Sequence, residues 1–402
     1  MLFAADMGSG LVFWGAAEPL IHAGSPPPGG PAAGTPEAVR LGLAITQFHW
    51  SLHAWAIYAV AALAVALAAR PGATPLPSAP IPLPRGAHRL IDWTALVAVL
   101  FGVVASMGQA LFQMGAGTEI VSAGGLRDGV GLQLATLALL FVAYAASALS
   151  GLRRGIAILS VVNVGLALML MVFVIAMRPG AALAASWNSL LAYAQELPRL
   201  SVFLGEGARR QWASDWSLTY FLWWVAWTPF VGVFIARISR GRTVRGFVAG
   251  VVLIPSLATL LWFGAFGGAA LDVQAGGTDL GVSDFATAPQ AAYALLGELP
   301  LARLTQALTL LVVFLFMVTS ADSGAYVLGL FGRDGAEPGA GERLYWGAVL
   351  ATLTAAAIMS AGGQSVTRAM AVAGAAPLTI LLIAQGAIVL HRAVSPAGTR
   401  RG

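Results

Sequence analysis

The chain has no cysteine. Disulfides, thiol nucleophiles and cysteine metal sites are therefore excluded. Lysine is missing as well, and all 22 basic residues are arginine. Charge of either sign is scarce: it amounts to 10% of the 402 residues, against about 25% in an average soluble domain. A soluble protein of this size could not cover its surface with so few charges. A disordered chain would be charge-rich and apolar-poor. There is no phosphate-binding G-x-x-x-x-G-K-S/T loop, which speaks against ATP drive. No nucleophile–base constellation and no histidine pair placed across helices for a haem is present either, so an enzyme is not expected.

What the chain does have is apolar length. Hydrophobic residues make up 58% and the mean hydropathy is +0.81. About ten apolar segments are long enough to span: 1–22, 39–69, 91–122, 129–150, 155–178, 216–237, 244–270, 301–331, 344–361 and 367–391. A spanning helix needs about 20 apolar residues, so the chain reads as an all-α integral membrane protein. The arginines gather in alternate connections. They are Arg70, Arg85 and Arg89, then Arg153 and Arg154, then Arg237, Arg240, Arg242 and Arg245, later Arg333 and Arg343, and finally Arg392, Arg400 and Arg401. The 271–285 segment instead carries Asp272, Asp279 and Asp284. The positive-inside rule then predicts a multi-pass plasma-membrane protein with both termini cytoplasmic. The net charge of +5 sets topology and does not call for a nucleic-acid partner; the surrounding partner is the lipid bilayer.

Ten helices divide into a first set of five over 1–178 and a second over 216–402. Between them, 179–215 is an external connection with an amphipathic helix around 183–204. With an odd number per half, the second half must sit inverted relative to the first. The 70–85 connection is a stiff proline-rich linker. The first helix of half one is interrupted by Met7-Gly8-Ser9-Gly10, and the first of half two carries Pro229 and Gly232. Interrupted helices in corresponding positions point to a transporter site at the membrane midplane.

Aromatics cluster beside those interruptions. There are 12 tryptophans. Trp50, Trp55 and Tyr58 are five and three residues apart and spread over one broad side of a helix. Trp223 and Trp227 share a face at i, i+4, and Trp224 lies beside Trp227 at i, i+3. Plain packing or an interfacial aromatic belt is one reading. The other is a cage for a cation that offers no N–H donor, such as a quaternary ammonium, for which ring faces are the natural partners.

At these residues the chain resembles the betaine/choline/carnitine transporter family. The resemblance is carried by the run from Met7 to Leu20 (MGSGLVFWGAAEPL), by Phe48-His49-Trp50 through Tyr58, by Trp223 through Thr243 including Arg-Ile-Ser-Arg-Gly-Arg, and by Val318-Thr319-Ser320-Ala321-Asp322-Ser323-Gly324. It extends over almost the whole chain. It implies two inverted five-helix repeats like those of the amino-acid/sodium symporter fold. In the family two helices precede these repeats; here the sequence starts at the first helix of repeat one, so the resemblance implies a chain without that pair.

The resemblance also implies roles. Trp50, Trp55, Tyr58 and Trp224 match the central aromatic box for a trimethylammonium group. Trp227 matches the aromatic below it, and Trp223 flanks it. The interrupted backbone, with Gly8 and Gly10, lines the same cavity. Ala4 and Met7, through carbonyls, with Phe316, Thr319 and Ser320, match a sodium site, where oxygen ligands suit a hard cation. Two positions depart from the family pattern. Asp6 stands where a glycine is usual, and a mid-membrane carboxylate is a functional candidate that can neutralise a cationic substrate, bind the coupling ion or carry a proton. Val99 and Val103 stand where hydroxyls of another sodium site are expected.

The remaining polar candidates have plainer readings. His49 and His53, at i, i+4, read as structural or hydrogen-bonding residues. Glu18-Pro19 reads as the end of the first helix, Asp322 as an ion-network carboxylate, and Arg237, Arg240 and Arg242 as cytoplasmic anchors or gate ion pairs. The expectation is a secondary symporter importing an onium osmolyte such as glycine betaine, choline or carnitine. It would use sodium or protons for coupling, need no organic cofactor and assemble as a homotrimer. The alternative is a transport-inactive remnant or sensor of the same fold.

Overall fold

In a computed structural model, the structure describes residues 8–68, 75–150, 153–202 and 205–394. Among these residues all regular structure is helical, and the chain is an all-α membrane protein. The first half runs α1 (Gly8–Gly24), α2 (Pro36–Trp50), α3 (Leu52–Ala68), α4 (Arg85–Val121), α5 (Val130–Ser150) and α6 (Arg153–Met177). Next comes α7 (Pro179–Val202). The second half runs α8 (Gly207–Ala213), α9 (Thr219–Ile238), α10 (Val244–Val248), α11 (Ile254–Ala275), α12 (Ala291–Gly297), α13 (Ala302–Gly332), α14 (Ala340–Met359) and α15 (Gly363–Val394).

Local chemistry sets the breaks. Thr35 caps α2 by accepting from the Ala38 N–H, and Pro36 supplies the preset φ of the first helical turn. Between α2 and α3 the helix is broken at Ser51, whose φ and ψ are −100° and −122°. The Ser51 hydroxyl donates to Gln47 Oε1 at 2.5 Å. Two widened, π-helical turns interrupt the second half. One, Ser214–Leu218, joins α8 to α9, and the other, Ala249–Leu253, joins α10 to α11. Such turns concentrate at functional positions because they rotate the next helical turn out of register.

Eight described helical stretches are long and apolar enough to cross a bilayer: Pro36–Ala68, Arg85–Val121, Val130–Leu149, Ile158–Met177, Gly207–Ile238, Val244–Ala275, Ala302–Gly332 and Gly363–Val394. Helix α14, at 20 residues, is about 30 Å long at 1.5 Å per residue. Helix α1 is the most enclosed of the long helices, buried from Gly8 to Ala23 at every position but Gly10. Helices α5 and α6 present Leu139, Val142, Val161, Leu168 and Val172 outward, as lipid-facing helices do.

The charged connections sort to two ends. At the arginine-rich end Arg237 binds Glu337, and Arg392 reaches the Leu67 carbonyl. At the far end Arg178 pairs with Asp272, and Gln364 donates to the Phe285 carbonyl. Helix α7 packs across α2 and α11 with Ser189 and Ala192 fully buried, while Leu183 and Trp187 stay exposed. The expectation that Glu18-Pro19 ends the first helix is overturned: α1 runs on through Pro19 to Gly24, and Glu18 is completely buried.

Candidate functional site: an aromatic cavity under a buried glutamate

Trp50 is the last residue of α2, immediately before the Ser51 break. That position swings its indole off the helix toward α9. There it meets Trp224 edge-on, with ring centroids 5.2 Å apart at 86°. Tyr58, two turns along α3, meets Trp224 at 5.7 Å and 86°. Trp55 stands against Tyr58 at 6.0 Å. The Trp224 indole donates to the His49 carbonyl at 2.8 Å, which fixes its plane.

A cavity of about 40 Å³ lies here, lined by Trp50, Trp223, Trp224, Trp227, Trp14, Tyr220, Ser9, Gly10, Ser106 and Gln109. That volume holds a few waters at most. Trp55 and Tyr58 are buried behind Trp224 and do not line it. Trp14, Tyr220, Ser106 and Gln109 do line it, and the sequence reading did not single them out. A face-by-face reading of α1 beside α9 would have offered Trp14 and Tyr220. Ser106 and Gln109, polar and one turn apart within an apolar span, were a local signal for the cavity-facing side of α4.

Below the cavity, the Trp227 ring contacts Phe230 at 5.5 Å. Phe230 is also part of the wall of a second, larger cavity of about 390 Å³ toward the arginine-rich end, with Arg237, Asp322, Tyr326 and Arg343. Asp322 is ion-paired to Arg343, and Arg237 binds Tyr326 and Glu337. Both arrangements are ion networks, as the sequence suggested.

Gly8 and Gly10, which the structure places in the first turn of α1 rather than in a break, are close-approach positions. A Cβ on Gly10 would lie 3.0 Å from Trp50 Cη2, and one on Gly8 would collide with the Phe316 ring. Gly10→Val is therefore expected to displace Trp50. Overpacking of this kind costs about 1–3 kcal/mol, so the KM for transport should rise about tenfold or more, with Gly10→Ala milder. Uptake kinetics of the two variants check this.

Phe316, Thr319 and Ser320 are buried on α13, and the Thr319 hydroxyl donates back to the Phe316 carbonyl at 2.9 Å. Their expected partners Ala4 and Met7, and also Asp6, lie outside the described residues. Val99 and Val103 are fully buried and bring only methyl groups to α4. His53 lies 3.3 Å from the Tyr193 hydroxyl and 3.1 Å from Ser201.

The residue the sequence reading most undervalued is Glu18. Its Oε2 accepts from the Trp50 indole at 2.6 Å and from the Tyr220 hydroxyl at 2.8 Å. Its Oε1 accepts from His49 Nδ1 at 2.5 Å and from His22 Nε2 at 3.3 Å. Among the described residues Glu18, His22 and His49 hold their ligand atoms within 4.8 Å of one another. With Oε1 already bonded to both imidazoles, the set is a closed hydrogen-bond network rather than three free metal ligands.

The family model for betaine/carnitine/choline transporters matches residues 1–396. The chain belongs to that family. The family's members are membrane transporters, not enzymes. Among the curated relatives, the glycine betaine transporter OpuD of Bacillus subtilis is 37% identical over 394 residues, covering 95% of this chain and 76% of the relative. An uncharacterized transporter of Mycobacterium tuberculosis is 38% identical over 397 residues, covering 95% and 66%. The betaine/ectoine transporter LcoP of Corynebacterium glutamicum is 36% identical over 403 residues, covering 97% and 62%. The chain thus spans about two thirds of the length of several relatives that it matches.

Proposed function

We propose that the chain is a secondary symporter that imports an onium osmolyte, glycine betaine or a close analogue, by alternating access around the aromatic cavity. The observation that carries this is the perpendicular set of Trp50, Trp224 and Tyr58 beside a cavity whose described wall holds no charged side chain. A permanently charged head group without N–H donors is held best by ring faces in a dry site. Trp55, Trp223, Trp227, Gly8 and Gly10, with Asp6 on the same run, complete the proposed binding region. Sodium or a proton supplies the drive, with Phe316, Thr319 and Ser320 on one side of the ion site and Ala4 and Met7 on the other.

The reading includes an architecture. Residues 1–178 and 216–402 are two five-helix repeats of opposite orientation, joined by the external 179–215 connection. The arginine-rich end is cytoplasmic, as the positive-inside rule requires. A homotrimer would use the exposed apolar face of α7, with Leu183 and Trp187.

Uptake of labelled glycine betaine, choline, carnitine and dimethylsulfoniopropionate in proteoliposomes, under imposed sodium or proton gradients, tests the proposal. Concentrative uptake of at least one compound under one gradient is expected. No gradient-dependent uptake of any of the four would overturn it.

A further inference from the structure

We propose that Glu18 is a positioning residue that fixes two walls of the cavity, Trp50 and Tyr220, and latches α1, α2 and the α8–α9 junction together on the outer side of the site. The inference rests on the transport reading above and extends it to a residue that does not itself line the cavity.

Geometry gives the argument. Glu18 is 0% exposed, and its described partners are two imidazoles, an indole and a phenol, none a permanent cation. A carboxylate buried at this depth is retained only if its oxygens are well satisfied. Here all four bonds come from side chains on other turns or other helices. Two end on residues that face the cavity. Trp50 ends α2 at the Ser51 break, so its backbone alone does not hold the ring. The 2.6 Å bond from its N–H to Glu18 does.

The same carboxylate reaches the second half of the chain twice. Tyr220 binds it directly. His49, bonded to it through Nδ1, meets Ser217 Oγ through Nε2 at 2.9 Å. Ser217 lies in the widened Ser214–Leu218 turn, a kind of irregularity frequent at functional sites. His22 adds ring contacts to Trp216 at 4.5 Å and Trp212 at 5.6 Å, one turn further out. Glu18 therefore sits where three elements converge, between the cavity and the far end. Releasing it would free the Trp50 ring and let the α8–α9 junction move away from α1.

The test uses the chain's lack of cysteine. Ser106→Cys places a single thiol on the cavity wall. In right-side-out vesicles it is challenged with a membrane-impermeant thiosulfonate carrying a trimethylammonium group. Glu18→Gln keeps the shape but replaces one acceptor oxygen by a donor, so two of the four bonds cannot form. In the Ser106→Cys background, Glu18→Gln is expected to speed labelling from outside about tenfold, the scale of one lost charge-assisted hydrogen bond.

In the native background, the KM for uptake should rise about tenfold with little change in maximal rate, while the gel-filtration profile and thermal midpoint stay close to those of the parent. Unchanged labelling and unchanged KM would overturn the proposal. If Glu18→Gln does not fold, Tyr220→Phe and Ser217→Ala decide, because each removes one arm and keeps the packing. Faster labelling in either supports the latch, and parental behaviour in both overturns it. Should the parent transport none of the four onium compounds while Glu18→Gln still speeds labelling, the transport reading fails and the latch stands.

Discussion

Trp224→Leu is expected to raise the KM for a trimethylammonium substrate about thirtyfold in proteoliposome uptake. A desolvated cation–π contact is worth about 2 kcal/mol or more, and 1.4 kcal/mol is a factor of ten. Trp224 is also the ring against which Trp50 and Tyr58 are both set edge-on. Edge-to-face pairs contribute about 0.5–1.5 kcal/mol each beyond burial. Its loss therefore removes one wall of the cavity and loosens both Trp50, which lines it, and Tyr58 behind. Leucine also lacks the N–H that holds the His49 carbonyl at the α2–α3 break. Trp224→Phe separates the contributions: it keeps a ring face, loses the donor, and should fall between the parent and Trp224→Leu. Equal KM values for parent and Trp224→Leu would remove Trp224 from the binding site.

The order of helices was legible because spans announce themselves by apolar length. The 244–270 and 301–331 segments became helical stretches at Val244–Ala275 and Ala302–Gly332, differing only at ends where polar residues extend a helix past the bilayer. Trp50 and Trp224 were legible as partners because both belong to dense aromatic clusters. Of the two, only Trp50 lies at a helix break, since the interruption expected at Pro229 and Gly232 does not occur and α9 runs unbroken from Thr219 to Ile238. Glu18 was not legible, because a Glu-Pro pair reads locally as a stop. In a spanning helix the carbonyl freed by proline can be satisfied by neighbouring groups, and Glu18 is held from outside α1 by residues 31 to 202 positions away as well as by His22. Periodicity along one segment carries no information about such convergence. Ser106 and Gln109 were missed although they are polar residues at i, i+3 in an otherwise apolar stretch of α4, because the aromatic clusters, not the isolated polar residues, guided the reading.

Breaking the Asp322–Arg343 pair is expected to destabilise the chain by about 3–5 kcal/mol, whichever partner is truncated. The two side chains are only 11% and 14% exposed. Removing one strands the other as an uncompensated charge in a poorly solvated place, and that, rather than the lost attraction, dominates the cost. The pair also stitches α13 to α14, and the Tyr144 hydroxyl from α5 donates to the Arg343 carbonyl beside it. Asp322→Ala and Arg343→Ala should each lower the midpoint of thermal unfolding in detergent. The double replacement Asp322→Leu with Arg343→Met should recover most of the loss, because a buried pair exchanged for apolar groups of similar size is close to neutral. The coupling is read from the cycle of single and double variants; additive losses would mean that the two charges are solvated independently. Both residues also belong to the wall of the cavity beyond Trp227 and Phe230. A double variant that regains stability but not uptake would assign the pair to the inner path, whereas one that regains both would leave it a purely structural tie.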